Sequence, residues 1–284
     1  MKEELARYPT AVVISSNVVR GSVGNRAVTL SLELLGVPVW AVPTIVLAWH
    51  PGISRSTRIV APDDDFSSLM ADLARAPWLP KVGGLISGYL GSAEQARGIA
   101  HLVGAMKAQN PEAIYVCDPV IGDLEGIYVP EETAVAIRDR LLPLADYATP
   151  NRFELAWLAD RTLETQAELI EAARALPCRN TLVTSAPGHA PTHLGNLLIS
   201  ANRSLLCEHP AIAHPPKGPG DVTGAVFLGQ LLQGASAEEA LSRATSSVYE
   251  AVASSAARGS DELMLETDQA AILCPRIRFG VTSI

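Results

Sequence analysis

Hydrophobic and polar positions along the chain alternate between two kinds of segment. Short apolar runs of the length and composition typical of buried strands lie at residues 11–14, 37–42, 83–86, 114–117 and 181–184. Longer segments with apolar residues at helical spacing lie at residues 25–35, 92–109 and 166–176. Parallel strands need crossover connections, so this alternation predicts an α/β fold with a central, mostly parallel sheet and helices on both faces.

The second half of the chain adds a hairpin and two long helices. Two segments carry the capping-box pattern of a hydroxyl followed three residues later by a carboxylate, Thr165 to Glu168 and Ser236 to Glu239. Strand-like runs at 194–200 and 204–208 flank a polar turn and predict a β-hairpin. The two helices are predicted at residues 222–233 and 237–257.

Composition and charge narrow the class of protein. The 284 residues are 48% hydrophobic and 18% charged, which predicts one globular domain over residues 1–284. A net charge of −8 argues against nucleic acid or an anionic membrane as the main partner. The longest apolar stretch, residues 37–49, contains prolines and is shorter than the roughly 20 residues of a membrane helix. The acidic N-terminus, Met1 to Leu5, does not resemble a secretory signal, so we expect a cytoplasmic protein.

The segment from Lys217 to Gly224 is the strongest candidate for a ligand-binding or catalytic site. Gly218 and Gly220 permit tight turns, and the helix that follows offers unpaired amides to a phosphate. An ordinary helix start capped by Asp221 is the alternative, and in either case a helix start predicts a low pKa for this carboxylate. Neither of the two common glycine-rich phosphate-binding motifs occurs in the chain, which disfavours a dinucleotide site.

Two further polar segments follow predicted strands. Asp118 and Asp123 lie just after the run at 114–117, where carboxylates can hold a cation such as Mg²⁺, or can simply cap a turn. Asn151 and Glu154 share one face of a predicted helix start. They can approach a metal-bound phosphate, or form a capping pair without a ligand.

These segments, with the Ser- and Gly-containing turn after the first strand, resemble the pyridoxal kinase family of the ribokinase-like superfamily. Residues 16–27, 87–95, 116–120, 149–151 and 218–223 are similar to that family's motifs in order and spacing. The resemblance implies a three-layer α/β sandwich and a homodimer. It also implies transfer of the γ-phosphate of ATP to the 5′-hydroxymethyl group of pyridoxal, pyridoxamine or pyridoxine, with Mg²⁺ and a monovalent cation, K⁺ or Na⁺.

The resemblance also implies a role for individual residues. Asp221 is the catalytic base, and the amides around Gly218 and Gly220 form an anion hole. The vitamin pocket comprises Ser16, Val23, Leu47, His50, Tyr89 and Asp221. Contacts to the nucleotide are implied for Asp118, Asp123, Thr149, Asn151, Glu154, Thr184, Ser185, Lys217, Gly218 and Gly220. The metal ligands are Asp118 and Glu154.

The chain departs from the family's pattern mainly in the vitamin pocket. Leu47-Ala48-Trp49-His50-Pro51 stands where the family has a Phe-Ser-Asn-His-Thr-like run. This departure leaves open a first alternative, a related kinase of another hydroxymethyl heterocycle, such as hydroxymethylpyrimidine. A second alternative, from a different class, is a vitamin-binding protein without activity. The presence of Asp221, Gly220 and Glu154 argues against the second alternative.

Overall fold

The computed structural model describes residues 8–284; the N-terminal segment Met1 to Leu5, used above to expect a cytoplasmic protein, lies outside them. The strands in the described part are β1 (Thr10–Val18), β2 (Val39–Leu47), β3 (Arg58–Val60), β4 (Val82–Ser87), β5 (Ile114–Cys117), β6 (Gly122–Asp123), β7 (Gly126–Ile127), β8 (Tyr147–Ala148), β9 (Thr181–Pro187), β10 (His193–Ile199), β11 (Ser204–Pro210) and β12 (Val281–Ser283). The α-helices are α1 (Gly24–Leu34), α2 (Asp63–Ala74), α3 (Gln95–Gln109), α4 (Glu131–Ala136), α5 (Arg152–Leu158), α6 (Gln166–Ala175), α7 (Pro219–Leu232), α8 (Ala237–Ala257) and α9 (Gln269–Leu273).

Ten of these strands form one sheet in the order β12-β11-β10-β9-β8-β5-β4-β1-β2-β3. Its six central strands, from β9 to β2, run parallel to one another, and antiparallel strands continue the sheet at both ends. The remaining two, β6 and β7, form a small separate hairpin. The predicted α/β fold with a mostly parallel sheet is therefore confirmed.

Alternating side chains of the strands enter two different hydrophobic layers. On β1, Val12 and Ile14 pack into the cluster that contains α2, α3, α5 and α6. Ala11 and Val13 point to the opposite face, where α1 and α7 cover the sheet. Because strand side chains alternate between faces, the two clusters are the two interfaces of a three-layer sandwich.

Several predicted boundaries shift in the structure. The first strand extends to Val18, and β2 runs on through Pro43 to Leu47. Proline is tolerated there because β3 covers only Ile45–Leu47, so the outer edge of β2 is free beside Pro43. Helix α7 begins at Pro219, three residues before its predicted start.

The helices in residues 8–284 are all too short or too polar to cross a membrane. The assignment of residues 1–284 to one domain stays a prediction.

Candidate active site

The sheet brings the predicted site residues to one edge. Since the six central strands are parallel, their carboxyl ends meet on the same side of the sheet. The ends of β1, β2 and β4 carry the pocket residues Ser16, Leu47 and Tyr89, and we call this side the acceptor half. Of the nucleotide residues, Asp118 and Thr149 directly follow β5 and β8, and Thr184 lies within β9 beside Asn151; we call this side the nucleotide half. Strand order alone therefore sorts the two predicted groups of residues.

The start of α7 lies between these halves. Gly218 is the N-cap and has φ +102°, a left-handed conformation that favours glycine. A Cβ atom on this residue would lie 2.6 Å from the carbonyl oxygen of Ser22. Pro219 occupies the first helical position, so the amides of Gly220 and Asp221 have no acceptor within the helix. The alternative that Asp221 caps the helix is wrong, and the first turn presents free N–H groups to an anion.

Asp221 has an environment unlike that of an exposed helix start. Burial raises its pKa to about 6, and a hydrogen bond donated by the backbone N–H of Gly24 only partly opposes this. The predicted low pKa is therefore wrong, because the loss of water outweighs the favourable helix terminus. Gly24 itself has φ +57°, and a Cβ there would lie 2.3 Å from the carbonyl oxygen of Ser16. Close packing thus joins Ser16, Gly24 and Asp221.

The nucleotide half contains two buried carboxylates. Asp118 follows β5 and is 9% exposed, and Glu154 is 3% exposed. Burial raises the pKa of both, and the charges of Glu154 and Asp221 raise that of Asp118 further. Asp118 therefore lies within electrostatic reach of the first turn of α7.

Glu154 is held by backbone amides. Its Oε1 accepts a hydrogen bond from the N–H of Ile121 (2.8 Å), and its Oε2 accepts one from the N–H of Asn151 (2.8 Å). The side-chain oxygen of Asn151 in turn accepts from the N–H of Glu154 at 2.9 Å. The capping pair predicted as one alternative is present, and it fixes the carboxylate beside Asp118.

Thr149 is a buried polar residue beside Asp118. It is 4% exposed, and its hydroxyl lies close enough to Asp118 to lower the pKa of that carboxyl, against the larger effect of burial. It also lies beside α7, where a Cβ on Gly224 would be 3.9 Å from its Oγ1. The hydroxyl thus connects the nucleotide half with the first turns of α7.

Thr184 and Ser185 lie farther along the same edge. Thr184 forms an isolated bridge with Asn151, and its N–H donates to the carbonyl oxygen of Pro150 at 3.0 Å. Ser185 is exposed and has φ +56°, which is strained for a residue with a side chain. Strain of this kind is frequent at ligand sites.

The acceptor half has an apolar wall and one histidine. Val23, Leu47 and Tyr89 pack in a small cluster with neighbouring aliphatic residues. His50 Nδ1 accepts a hydrogen bond from the N–H of Gly52 at 3.0 Å, so the neutral ring carries its proton on Nε2. Burial lowers the pKa of His50, which favours that neutral form. This half therefore offers an apolar surface and one hydrogen-bond donor.

Asp123 and Lys217 meet at the mouth of the site. Asp123 lies in β6, and its Oδ2 is 3.6 Å from Nζ of Lys217, which directly precedes Gly218. Their ion pair connects the nucleotide half with the α7 loop.

Tyr128 is a residue near the site that the sequence did not reveal. It is 47% exposed, yet partial burial of its phenol and the charges of Glu154, Asp118, Asp123 and Asp221 raise its pKa, so the phenol lies within electrostatic reach of these carboxylates. It directly follows β7, and the two-residue strands of this hairpin have no periodic pattern to detect. Only the nearby carboxylate segment could have drawn attention to this residue.

Comparisons with known proteins show which proteins this chain is similar to. The sequence model of the Phosphomethylpyrimidine kinase family matches residues 82–265. A pyridoxal kinase PdxY from Pseudomonas paraeruginosa is 35% identical, over 99% of this chain and 100% of the relative. One from Granulibacter bethesdensis is 36% identical, over 94% of this chain and 96% of the relative.

Solved structures show the same architecture. A pyridoxal kinase from Leishmania donovani, in complex with ADP and pyridoxamine, superposes with a TM-score of 0.91 at 26% identity. The match covers 97% of this chain and 99% of that protein. The fold and the full-length sequence similarity agree, and the chain belongs to the pyridoxal kinase family of the ribokinase-like superfamily.

Proposed function

We propose that this protein transfers the γ-phosphoryl group of ATP to the 5′-hydroxymethyl group of pyridoxal, pyridoxamine or pyridoxine, as in vitamin B6 salvage to pyridoxal 5′-phosphate. The position of Asp221 carries the proposal. Its carboxylate accepts a hydrogen bond from Gly24 in the acceptor half, and its charge raises the pKa of Asp118 in the nucleotide half. A base between an alcohol and a phosphate donor is what this reaction requires.

The residues of the chain supply a base and an anion hole. Asp221 takes the proton of the acceptor hydroxyl while the hydroxyl oxygen bonds to the γ-phosphorus. The bond from the γ-phosphorus to the bridging oxygen breaks, and ADP leaves with the electron pair. The free amides of Gly220 and Asp221 face the developing negative charge. A pKa of about 6 leaves Asp221 ionised at neutral pH and makes it a stronger base than an exposed aspartate.

The acidic residues fit Mg²⁺ that is bound jointly with phosphates. No group of three His, Cys, Asp or Glu side chains among residues 8–284 could hold a metal without help. Mg²⁺ in phosphoryl-transfer sites commonly uses one or two carboxylates together with phosphate oxygens. Both oxygens of Glu154 already accept amide hydrogen bonds, so we assign the direct contact to Asp118 and a supporting charge to Glu154. The bound metal would neutralise phosphate charge. A role for K⁺ or Na⁺ stays a prediction.

A second acceptor is supported by specific observations. The matching family model is that of phosphomethylpyrimidine kinases, and the segment from Leu47 to Pro51 departs from the expected vitamin-pocket run. Hydroxymethylpyrimidine carries the same kind of primary alcohol on a flat ring. Hydroxymethylpyrimidine is therefore the alternative substrate to compare with the B6 vitamers.

The test is an ATP-consumption assay with pyridoxal, pyridoxamine, pyridoxine and hydroxymethylpyrimidine. We expect turnover of at least one B6 vitamer and a loss of about 10²- to 10⁴-fold in Asp221→Ala. Asp65→Ala is the matched control, since Asp65 occupies the third position of α2 as Asp221 does in α7, but is exposed. Inert B6 vitamers together with an active pyrimidine would favour the alternative. Full activity of Asp221→Ala would refute the assignment of Asp221 as the catalytic base.

The remaining expectations are the homodimer, the cytoplasmic location and the lack of nucleic-acid binding. Sedimentation at micromolar concentration tests the first, where twice the 30.0 kDa mass is expected.

A further inference from the structure

Arg58 brings a permanent positive charge to the edge of the acceptor half. It lies in β3, directly opposite Leu47 of the expected vitamin pocket, so the two side chains are on the same face of the sheet. Val60, two residues farther along β3, packs in the apolar cluster that contains Leu47 and Tyr89. Because strand side chains alternate between faces, Arg58 shares the face of Val60 and lies on the pocket side of β3.

The guanidinium group of Arg58 reaches the phenol of Tyr89. Its Nη1 donates a hydrogen bond to the hydroxyl oxygen of Tyr89 at 3.2 Å, and its Cζ lies 6.0 Å from the centre of the tyrosine ring. The backbone of Tyr89 is held on both sides. Its N–H donates to Ser15 Oγ at 3.2 Å, and its carbonyl oxygen accepts a hydrogen bond from Thr44 Oγ1 at 2.6 Å. Arg58 is therefore anchored by a tyrosine whose own position is fixed.

This contact leaves most of the donors of Arg58 unused. A guanidinium group carries several N–H donors, and within residues 8–284 this one forms no ion pair and no second hydrogen bond. The acidic residue nearest along the chain, Asp63, accepts a hydrogen bond from Ser92 instead. The hydroxyl of Tyr89 keeps its proton free, because a guanidinium group can only donate to it. A charged donor and a neutral one are therefore available side by side at the edge of the pocket.

These donors fit an acceptor molecule that carries a negatively charged oxygen on its ring. The B6 vitamers have a ring hydroxyl group, which ionises readily because the ring nitrogen withdraws electrons from it. Hydroxymethylpyrimidine has the same kind of primary alcohol but no such ring hydroxyl. A guanidinium group binds an anionic oxygen more strongly than a neutral group, because hydrogen bonds between charged partners are the stronger ones. The charge of Arg58 therefore distinguishes the two candidate acceptors.

We propose that Arg58 is a specificity-determining residue, which binds the ionised ring oxygen of the acceptor and so favours B6 vitamers over uncharged rings. It contacts the ring beside Tyr89 and takes no part in the transfer of the phosphoryl group. This inference rests on the proposed function, and it names the chemical feature by which the acceptor is selected.

Two substrates that differ only in the ring hydroxyl test the proposal. Steady-state assays would compare pyridoxine with 3-deoxypyridoxine, which lacks that hydroxyl, in wild type, Arg58→Leu and Arg58→Lys. We expect Arg58→Leu to lower kcat/KM about tenfold for pyridoxine and less than about twofold for 3-deoxypyridoxine, because only pyridoxine loses a charged contact. Arg58→Lys keeps the charge, and its preference for pyridoxine should lie between those of wild type and Arg58→Leu. Arg55→Leu is the matched control, since it removes another exposed positive charge just before β3 and should change neither value.

The outcomes separate this inference from the proposed function. Equal losses with both substrates in Arg58→Leu would mean that Arg58 only supports Tyr89, and would overturn the specificity role. A lysine variant with no more preference than Arg58→Leu would overturn it as well. Failure of the wild type to phosphorylate any B6 vitamer would instead refute the proposed function. Calorimetry without ATP gives a second readout: pyridoxine should bind about tenfold more weakly to Arg58→Leu, and an unchanged affinity would contradict the proposal.

Discussion

Asp221 combines two properties that oppose each other. It is ionised at neutral pH, as a base must be, yet burial raises its pKa to about 6 and so makes the ionised form costly. The amide of Gly24 and the helix start compensate only in part. The residue therefore gains basicity at the expense of the stability of the folded protein.

The first prediction concerns activity and pH. Protonated Asp221 cannot accept the hydroxyl proton, so kcat/KM should fall about tenfold per pH unit below about pH 6. Initial rates between pH 4.5 and 8 measure this dependence. A profile that stays flat down to pH 4.5 would contradict the assigned pKa.

The second prediction concerns stability of Asp221→Asn. The pKa of this carboxyl is about 6 in the folded protein and about 3.9 in the unfolded chain. Below pH 3.9 both states are protonated, so the variant gains nothing. Above pH 6 both are ionised, and the folded wild type bears the full cost, an upper bound of about 3 kcal/mol. Denaturant unfolding at pH 7 should therefore show a more stable variant, with the gain shrinking as pH falls through 6 to 4.

The third prediction concerns Gly24. Alanine would place a Cβ 2.3 Å from the carbonyl oxygen of Ser16 at a φ of +57°. We expect a loss of about 1–3 kcal/mol of stability and a displaced N–H at Asp221, which lowers kcat. Gly104→Ala is the control, because nothing lies within 4 Å of that position in α3 and alanine favours a helix. Equal effects of the two substitutions would refute this account of Gly24.

At the scale of elements, two capping boxes with the same local geometry have different functions. Ser236 caps α8 through Glu239, and Asn151 caps α5 through Glu154. The first pair is exposed, whereas the second places a carboxylate beside Asp118. A cap in the site therefore affects both helix stability and charge placement.

The fourth prediction compares these two caps. Ser236→Ala and Asn151→Ala should each cost about 1 kcal/mol of unfolding free energy, because each removes an N-cap acceptor. Only Asn151→Ala should also raise the KM for ATP, since it removes the side-chain hydrogen bonds to the Glu154 N–H and the Gly122 carbonyl oxygen that fix the loop around the Glu154 carboxylate. Urea unfolding and steady-state kinetics measure the two effects. An unchanged KM in Asn151→Ala would show that this cap does not position the nucleotide half.

Sequence alone predicted elements well where local signals agree. Helix α8 at Ala237–Ala257 and strand β5 at Ile114–Cys117 match the predicted bounds, because a capping box and a bounded apolar run mark them clearly. The start of α7 was missed, because Asp221 resembles a cap when the left-handed conformation of Gly218 is unknown. The pKa of Asp221 and the placement of Tyr128 depend on distant segments, which no local pattern reports.

At the scale of the whole molecule, the sheet assembles the site from strands distant in sequence. Strands β1 and β8 lie on different sides of β4 and β5, yet both end at the site. A nucleotide that contacts these ends binds only the folded protein. Ligand binding should therefore stabilise the entire fold.

The fifth prediction follows from this linkage. ADP at one hundred times its dissociation constant should raise the free energy of unfolding by about 2.7 kcal/mol. Thermal unfolding with and without ADP and Mg²⁺ measures the shift. Adenosine at the same concentration is the control, and an equal shift with it would contradict phosphate binding at the start of α7.

The separation of the two halves by strand order has a consequence for engineering. The loop after β2 contributes His50 to the acceptor half but no predicted contact to the nucleotide half. Transplanting this loop from a relative that acts on a different alcohol should change which alcohol is phosphorylated. The phosphate donor should remain the same. The fold thus offers a modular scaffold for making new small-molecule phosphorylation catalysts.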